Sequence, residues 1–443
     1  MGPKFAFIGA GSLEFTVALA RDILSFEAFH DAELALMDIH SGRLEYARRA
    51  VERVIEASGC DARVIATNDR KEALKDADGV LITVLQGGVD VWRHDIEIPK
   101  RYGVDICVGD TRGPSGIFRF LRTAPLMLDI IRDAEEVCPE AVILNYTNPM
   151  SMLCSYLRKQ SRVNVTGLCH SVQGTATMLA GWIEAPLSEV TYKCVGINHQ
   201  AFYLDFLWNG RDAYPLIREA IFNKPEILAE EPVRNEMFLQ LGYYPTESSG
   251  HNSEYNAWFR KRPDLIEKYC THGAGWNPGK HAFILECYLE RETTWENGFR
   301  ELLESGSAEP DSGDEYASNV FNAIFGDHTP FVFNGNLPNN GLIDNLPGGV
   351  CVEVPMLASR EGIRPFHAGA LPEHLAIMVG NTARCEDLAV MAAIEGDWMK
   401  IYHSILFDPL TAAVLSMAEI KEMTVEMFAQ NRDYLGYFKS LPD

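Results

Sequence analysis

Four residues in the middle of this chain carry the chemistry to hold a cation and move a proton. Cys169 and His170 are adjacent, His199 follows further along, and Tyr255 stands in Ser253-Glu-Tyr-Asn256. A thiolate and an imidazole together suit a borderline divalent ion such as Mn, Fe, Co, Ni or Zn. Two protein ligands are fewer than a structural site takes, so substrate oxygens or water would fill the open positions. The plainer reading makes Cys169 a core residue and His199 a buried hydrogen-bonding group. Tyr255 can act as a general base only if its pKa, ordinarily about 10, is lowered. A neighbouring cation does that. Without one, Tyr255 is a partly buried aromatic with a hydrogen-bonded hydroxyl.

A second chemistry-bearing segment opens the chain. Lys4-Phe-Ala-Phe-Ile-Gly-Ala-Gly-Ser12 reads as a short apolar strand running into a glycine turn. Gly9 permits the tight turn, and Gly11 lets the backbone approach a pyrophosphate attracted by the following helix N-terminus. Ser12 can cap that helix. Glu14 stands where the usual third glycine would be. Asp38 ends the next predicted strand, somewhat further from Gly9 than the usual spacing. Its carboxylate suits a ribose diol and favours NAD over the 2′-phosphorylated form. The alternative is a structural turn in an ordinary α/β protein.

The elements that must position these residues alternate over the first 150 positions. Strands are predicted at 5–8, 34–37, 64–67, 80–84 and 141–144, with helices at 13–24, 43–57, 71–75 and 126–137. Such alternation predicts a doubly wound parallel sheet with helices on both faces and ligands beyond the strands' carboxyl ends. A further strand at 163–169 ends at Cys169, and one at 196–208 contains His199. Residues 241–255, rich in Ser, Thr, Gly and Asn, read as an exposed functional loop. Residues 305–315 read as an acidic, breaker-rich loop, and 372–438 as mostly helical. A chain of 443 residues predicts two domains. Their border is placed near residue 190: a Rossmann-like domain over 1–190 and an α+β metal and substrate domain over 191–443.

Composition bounds the partners. The formal net charge of −23 argues against nucleic acid and anionic membrane, which demand basic surface. Hydrophobic content of 47% permits sizeable cores. Met1-Gly-Pro-Lys-Phe leads straight into the first strand, so no leader is expected. No apolar run reaches the roughly 18 residues of a membrane span. Ten scattered cysteines without a Cys-x-x-Cys motif fit a reducing cytoplasm.

The motifs together resemble the family 4 glycoside hydrolases, the NAD- and divalent-metal-dependent glycosidases, over nearly the whole chain. The resemblance is carried by Phe7-Ile-Gly-Ala-Gly-Ser12, Asp110-Thr, Gly116-Ile-Phe-Arg119, Leu121-Arg-Thr123, Asn145-Tyr-Thr-Asn-Pro-Met150 and Gly167-Leu-Cys-His-Ser-Val172. It continues through Gly196-Ile-Asn-His199, Gly242-Tyr-Tyr244, Thr246-Glu-Ser-Ser249, His251-Asn252, Glu254-Tyr255 and Asn345-Leu-Pro347. Cys-His-Ser-Val and the Thr-Glu-Ser-Ser loop look most like the α-galactosidase (melibiase) branch. The resemblance implies a lactate/malate dehydrogenase type of fold, with Mn2+ or another divalent metal on Cys169 and His199. It also implies a redox route to hydrolysis, outside the usual two-carboxylate scheme. A hydride leaves sugar carbon 3 for NAD, and the resulting ketone acidifies the proton on carbon 2. Tyr255 matches the family's base for that proton. The glycosidic oxygen departs with help from an acid, for which His170 is the candidate by position. Water then adds, and the hydride returns. Asn148 matches a residue that contacts substrate hydroxyls near the metal. Family members commonly form dimers or tetramers, so a cytoplasmic homodimer or homotetramer is expected.

One departure stands out. Where the family has a small or apolar residue and consecutive glycines, this chain reads Arg112-Gly-Pro-Ser-Gly116. Arginine matches carboxylate, sulfate or phosphate. Arg112 is therefore a candidate for binding an anionic substrate group, as in a uronide or sulfonated sugar. The alternative pairs it with a surface acid or the cofactor phosphates. Two other functions fit a dinucleotide turn: a true dehydrogenase, and a catalytically silent dinucleotide-binding sensor.

Overall fold

Alternating side chains on the first strands fill two different cores, and this fixes the architecture. The computed structural model describes residues 2–12, 15–274, 277–304, 313 and 315–442. Leu13, Glu14 and most of the 305–315 segment lie outside the described residues. The strands are β1 (Lys4–Ile8), β2 (Glu33–Met37), β3 (Arg63–Thr67), β4 (Gly79–Ile82), β5 (Val142–Asn145) and β6 (Val165–Gly167). They continue as β7 (Val190–Ile197), β8 (Gln200–Trp208), β9 (Arg211–Asp212), β10 (Tyr244–Pro245), β11 (Phe331–Pro338), β12 (Cys351–Ser359) and β13 (Gly362–Pro365). Phe5, Phe7, Leu34 and Leu36 face one core with the helices Phe15–Leu24 and Ser41–Ser58. Ala6, Ile8, Ala35 and Met37 face the other, against the helix Gly113–Val137. Apolar residues on both sides are what a parallel sheet buried between helical layers requires.

The parallel strands run in the order β3-β2-β1-β4-β5-β6, the doubly wound dinucleotide-binding order. The order reverses between β1 and β4, and the glycine turn after β1 sits at that switch point. β6 then pairs with antiparallel β11, and the sheet continues through β12, β7, β8 and β10. The sheet thus passes from parallel to antiparallel pairing between β6 and β11, and residue 190, the expected border, is the first of β7 within the same continuous sheet. The tail helices Glu373–Glu395, Trp398–Leu406, Pro409–Val414 and Met417–Gln430 match the helical expectation. Val390, Ile401, Met423 and Phe428 return to pack with Ile8, Val80 and Phe118 of the first half. A fully buried ion pair, Arg122 to Asp95 at 2.6 Å, helps pin the tail, because Asn431 donates to Asp95 at 3.1 Å.

Several elements differ from expectation for local reasons. The segment read as one strand over 196–208 is a hairpin, β7 and β8, with Asn198-His199 at the turn. The helix expected at 126–137 begins at Gly113. Pro114 sits in its first turn, where no backbone donor is needed, so the Gly-Pro pair starts a helix rather than breaking one. The helix Gly88–Tyr102 was not signalled. The 241–255 segment is not exposed: Thr246 to Tyr255 are all buried, and Ser249–Glu254 is a short helix. Many of its polar groups are engaged internally, with Asn252 donating to the Thr246 and Ser248 carbonyls at 2.8 and 3.1 Å. Among the described residues no helix is long and apolar enough to cross a membrane.

Removing one partner of the Arg122–Asp95 pair leaves a buried, uncompensated charge. Arg122→Met is expected to cost about 3–5 kcal/mol of stability in urea unfolding. A loss below about 1 kcal/mol, the range of exposed pairs, would show that the pair does not hold the tail.

Candidate active site

The glycine turn is shaped as its sequence predicts. Gly9 has φ +94°, and a Cβ there would collide with the Thr83 carbonyl. Its amide and that of Ala10 both donate to the Met37 carbonyl at 2.9 Å, tying the turn to the end of β2. Asp38 is partly buried and accepts from the Gly11 amide and the His40 amide, each at 2.8 Å. A Cβ on Gly11 would stand 2.7 Å from that carboxylate. The Ser12 hydroxyl accepts from the Phe15 amide at 3.4 Å, at the start of the helix Phe15–Leu24. A glycine turn, a helix N-terminus and a strand-end acid thus meet at the switch point, where folds of this kind bind dinucleotides.

Across the sheet, Cys169 follows β6 and His199 stands at the β7–β8 turn. Both are buried. Glu247, which sequence reasoning left without a role, joins them. Its Oε1 lies 3.5 Å from His199 Nε2 and 3.5 Å from Cys169 Sγ, while Oε2 lies 3.4 Å from His251 Nδ1. Donor atoms of Cys169, His199 and Glu247 lie within 4.8 Å of one another, as do those of Asp110, His199 and His251. The two overlapping sets share His199. Glu247 has φ +65°, a left-handed conformation that a glutamate keeps only when its surroundings dictate it.

The electrostatics of this cluster favour a bound cation. Burial pushes the His199 imidazole down to about 4, so it is neutral at pH 7, as a metal ligand must be. Burial raises the Glu247 carboxyl, but His199 and His251 outweigh it and draw it down to about 2. With His199 neutral, the Glu247 carboxylate has lost part of its counter-charge at neutral pH. Behind it, burial and then Glu247 push the Glu353 carboxyl up to about 8, so Glu353 adds no second charge there at pH 7. Burial and the nearby carboxylates also hold the Cys169 thiol well above its ordinary range. A divalent ion reverses that bias, because a coordinating thiol gives up its proton. A Cys, His and carboxylate set of this size fits a borderline divalent ion with open positions.

Neighbours hold the ligands in place. Thr111 Oγ1 is 2.7 Å from Asp110 Oδ1 and 3.0 Å from His199 Nδ1. Asn148 donates to Asp110 Oδ2 at 3.0 Å, which brings it to the same cluster. Glu254 accepts from the Cys107, Val108 and Gly109 amides at 2.8–2.9 Å and fixes the loop that presents Asp110.

Tyr255 caps the short helix that carries His251, and their ring centroids are 6.0 Å apart. Its hydroxyl is buried and lacks a hydrogen-bond partner among the described residues. Burial drives its pKa well above 10, opposed by Arg112. The Arg112 guanidinium carbon sits 4.2 Å from the Tyr255 ring centroid. Arg112 is itself buried, lies 3.1 Å from the buried Glu386 and donates to the Asn198 carbonyl. Its acid partner is interior rather than a surface group. His170 stays apart from the buried set, with 58% of its side chain exposed and Nδ1 3.3 Å from Glu315.

The dinucleotide turn, the strand order and the extended sheet define a dehydrogenase-type fold. A malate dehydrogenase from Plasmodium falciparum superposes with a TM-score of 0.51 at 12% identity, over 88% of this chain and 98% of that one. The likeness narrows further. The family 4 glycosyl hydrolase model matches residues 4–184, and the family 4 glycosyl hydrolase C-terminal domain model matches residues 194–411. An α-galactosidase from Rhizobium meliloti (strain 1021) is 36% identical, over 98% of this chain and 89% of that protein. A 6-phospho-α-glucosidase from gut microorganisms, solved with NAD and Mn2+, superposes with a TM-score of 0.82 at 19% identity, over all of both chains. This chain belongs to the family 4 glycosyl hydrolases.

Glu247, His251 and Asp110 all sit within the motifs Thr246-Glu-Ser-Ser249, His251-Asn252 and Asp110-Thr. Glu247 precedes the helix Ser249–Glu254 that carries His251, so helical spacing does not explain their meeting. Glu353 and Glu386 lie far along the chain and carried no local signal.

His199 belongs to both candidate ligand sets. His199→Ala is therefore expected to lower Mn2+ affinity by about 100-fold or more in calorimetry, beyond the 10–100-fold cost of losing an outer partner. Unchanged affinity would exclude both sets.

Proposed function

We propose that the protein is an NAD- and divalent-metal-dependent α-glycosidase that acts on α-galactosides. The carrying observation is the buried Cys169–His199–Glu247 cluster set across the sheet from a dinucleotide turn, with Tyr255 beside it. The name of the Rhizobium meliloti relative supports the galactoside substrate, and that of the gut-microbial neighbour supports NAD and Mn2+.

In this reading Gly9, Gly11 and Ser12 receive the pyrophosphate, and Asp38 meets the ribose diol. Cys169, His199 and Glu247 would hold the cation, and Asp110 and His251 form a second candidate set that shares His199. When bound, the two cofactors supply a reversible hydride acceptor for sugar carbon 3 and a Lewis acid for the carbonyl formed there. Every other task falls to this chain. Tyr255 would take the proton from carbon 2. Burial raises its pKa in the metal-free site, so the role requires the positive charge of the bound cation, together with Arg112, to lower it. Asn148, oriented by Asp110, meets the sugar hydroxyls. His170, exposed and paired with Glu315, is the candidate to protonate the departing glycosidic oxygen. Water would then add to the unsaturated sugar before the hydride returns, so the sum would be hydrolysis with no net oxidation. A plain dehydrogenase would instead accumulate reduced nicotinamide.

The ion pair with Glu386 means Arg112 offers no uncompensated charge to an anionic substrate, which favours a neutral sugar. On net charge and on ten cysteines, none in a disulfide, we further propose a cytoplasmic setting with no nucleic-acid or membrane partner. A homodimer or homotetramer is the expected assembly.

A panel of nitrophenyl α- and β-glycosides, neutral, uronic and 6-phosphorylated, with NAD, Mn2+ and a thiol reductant, tests the substrate. Release from the neutral α-galactoside is expected to lead, and faster release from a uronide or phosphosugar would overturn that preference. Tyr255→Phe is expected to reduce kcat by about 100-fold or more, the range for loss of a general base. Full activity in that variant would remove Tyr255 from the mechanism.

A further inference from the structure

We infer that Glu386, on the C-terminal helix Glu373–Glu395, positions Arg112 so that one guanidinium sets both the Tyr255 ring and the backbone carrying His199. The inference rests on the reading of Tyr255 as the base. It adds a positioning pair, one member of which lies far beyond Tyr255 in the chain and outside every recognised motif.

The geometry is specific. Arg112 is the N-cap of the helix Gly113–Val137, with extended backbone at φ −150° and ψ −171°. Its side chain reaches inward to three groups. One is the Tyr255 ring face at 4.2 Å. The second is the carbonyl of Asn198, the residue just before His199. The third is Glu386 at 3.1 Å, itself 5% exposed. Asp408 also approaches this region, but its carboxylate is engaged by the Thr411 amide at 2.9 Å and hydroxyl at 2.7 Å. Glu386 is therefore the acid that faces the guanidinium.

A buried ion pair is weak evidence for stability, because desolvation offsets the attraction. Location gives this one its meaning. The Tyr255 hydroxyl has no hydrogen-bond partner among the described residues, so packing on the ring sets its direction. The planar guanidinium lies over that ring, and the Asn198 carbonyl and the Glu386 carboxylate together set its orientation. Loss of the Glu386 charge removes one of the two anchors of the guanidinium and loosens its orientation. The ring and the Asn198 carbonyl then lose a common support.

The test uses the full chain with NAD and Mn2+. Glu386→Gln keeps shape and removes charge. It is expected to lower kcat by about 10- to 100-fold, the cost of a small misplacement of a reacting group. KM should stay near the wild-type value, and NAD affinity by calorimetry should be unchanged. The primary deuterium isotope effect at sugar carbon 2 should rise, since proton abstraction becomes more rate-limiting. Arg112→Lys keeps the charge but lacks the planar fork, and should reproduce the loss. The double variant should be no slower than Arg112→Lys alone, the signature of two residues acting as one unit. Lower thermal stability with unchanged kcat and isotope effect would make the pair merely structural and overturn the inference. Additive losses in the double variant would overturn it too. Activity retained in Tyr255→Phe would instead remove the premise. An inactive Tyr255→Phe beside a normal Glu386→Gln would sink only the positioning pair.

Discussion

A carboxylate buried beside two histidines and a cysteine is the constraint on which this site depends. Glu247 is almost wholly buried, and burial penalises its charge. One of its facing imidazoles, His199, is kept neutral at pH 7 by that same burial. A carboxylate so enclosed is tolerated when something positive completes the shell. The neutral imidazole and the soft sulfur supply no positive charge, but both bind borderline metals. The need for a cation is thus built into the fold before any sugar arrives.

The rest of the architecture serves that arrangement. The parallel half of the sheet brings the glycine turn and the Asp110 and Asn148 loops to one edge. The antiparallel half delivers His199 on a hairpin turn and Glu247 just after β10. Because the sheet is continuous, the two sets of residues sit on one rigid frame. The tail helices return to cover the parallel half, and one of them supplies Glu386 behind the tyrosine. This union gives a reason for two cofactors in one hydrolase. A transient ketone makes the neighbouring proton acidic, and a cation at that carbonyl makes its removal feasible. Simple acid–base cleavage would need neither.

Much of this was legible in the sequence, and the misses share a cause. Phe5 to Ile8 with Gly9 and Gly11 announced the turn because apolar alternation and glycine have direct backbone consequences. Cys169, His199 and Tyr255 stood out as residue types with few other uses in that company. Glu247 and His251 were hidden in a polar stretch that looked solvent-exposed. Local composition cannot reveal that Ser248 and Glu254 find hydrogen-bond partners inside the protein. The partners of Arg112 were invisible for a simpler reason. Glu386 lies more than half the chain away in sequence, and only the folded chain brings the two charges together.

The central claim is that glycosidic cleavage here borrows a hydride beside a bound cation. The most direct measurement is aglycone release by protein freed of nicotinamide and metal, then resupplied with NAD, Mn2+, or both. Activity is predicted to vanish on removal and to return only when both are present, without accumulation of NADH. Undiminished release from the stripped protein, or restoration by one of the two alone, would contradict the account.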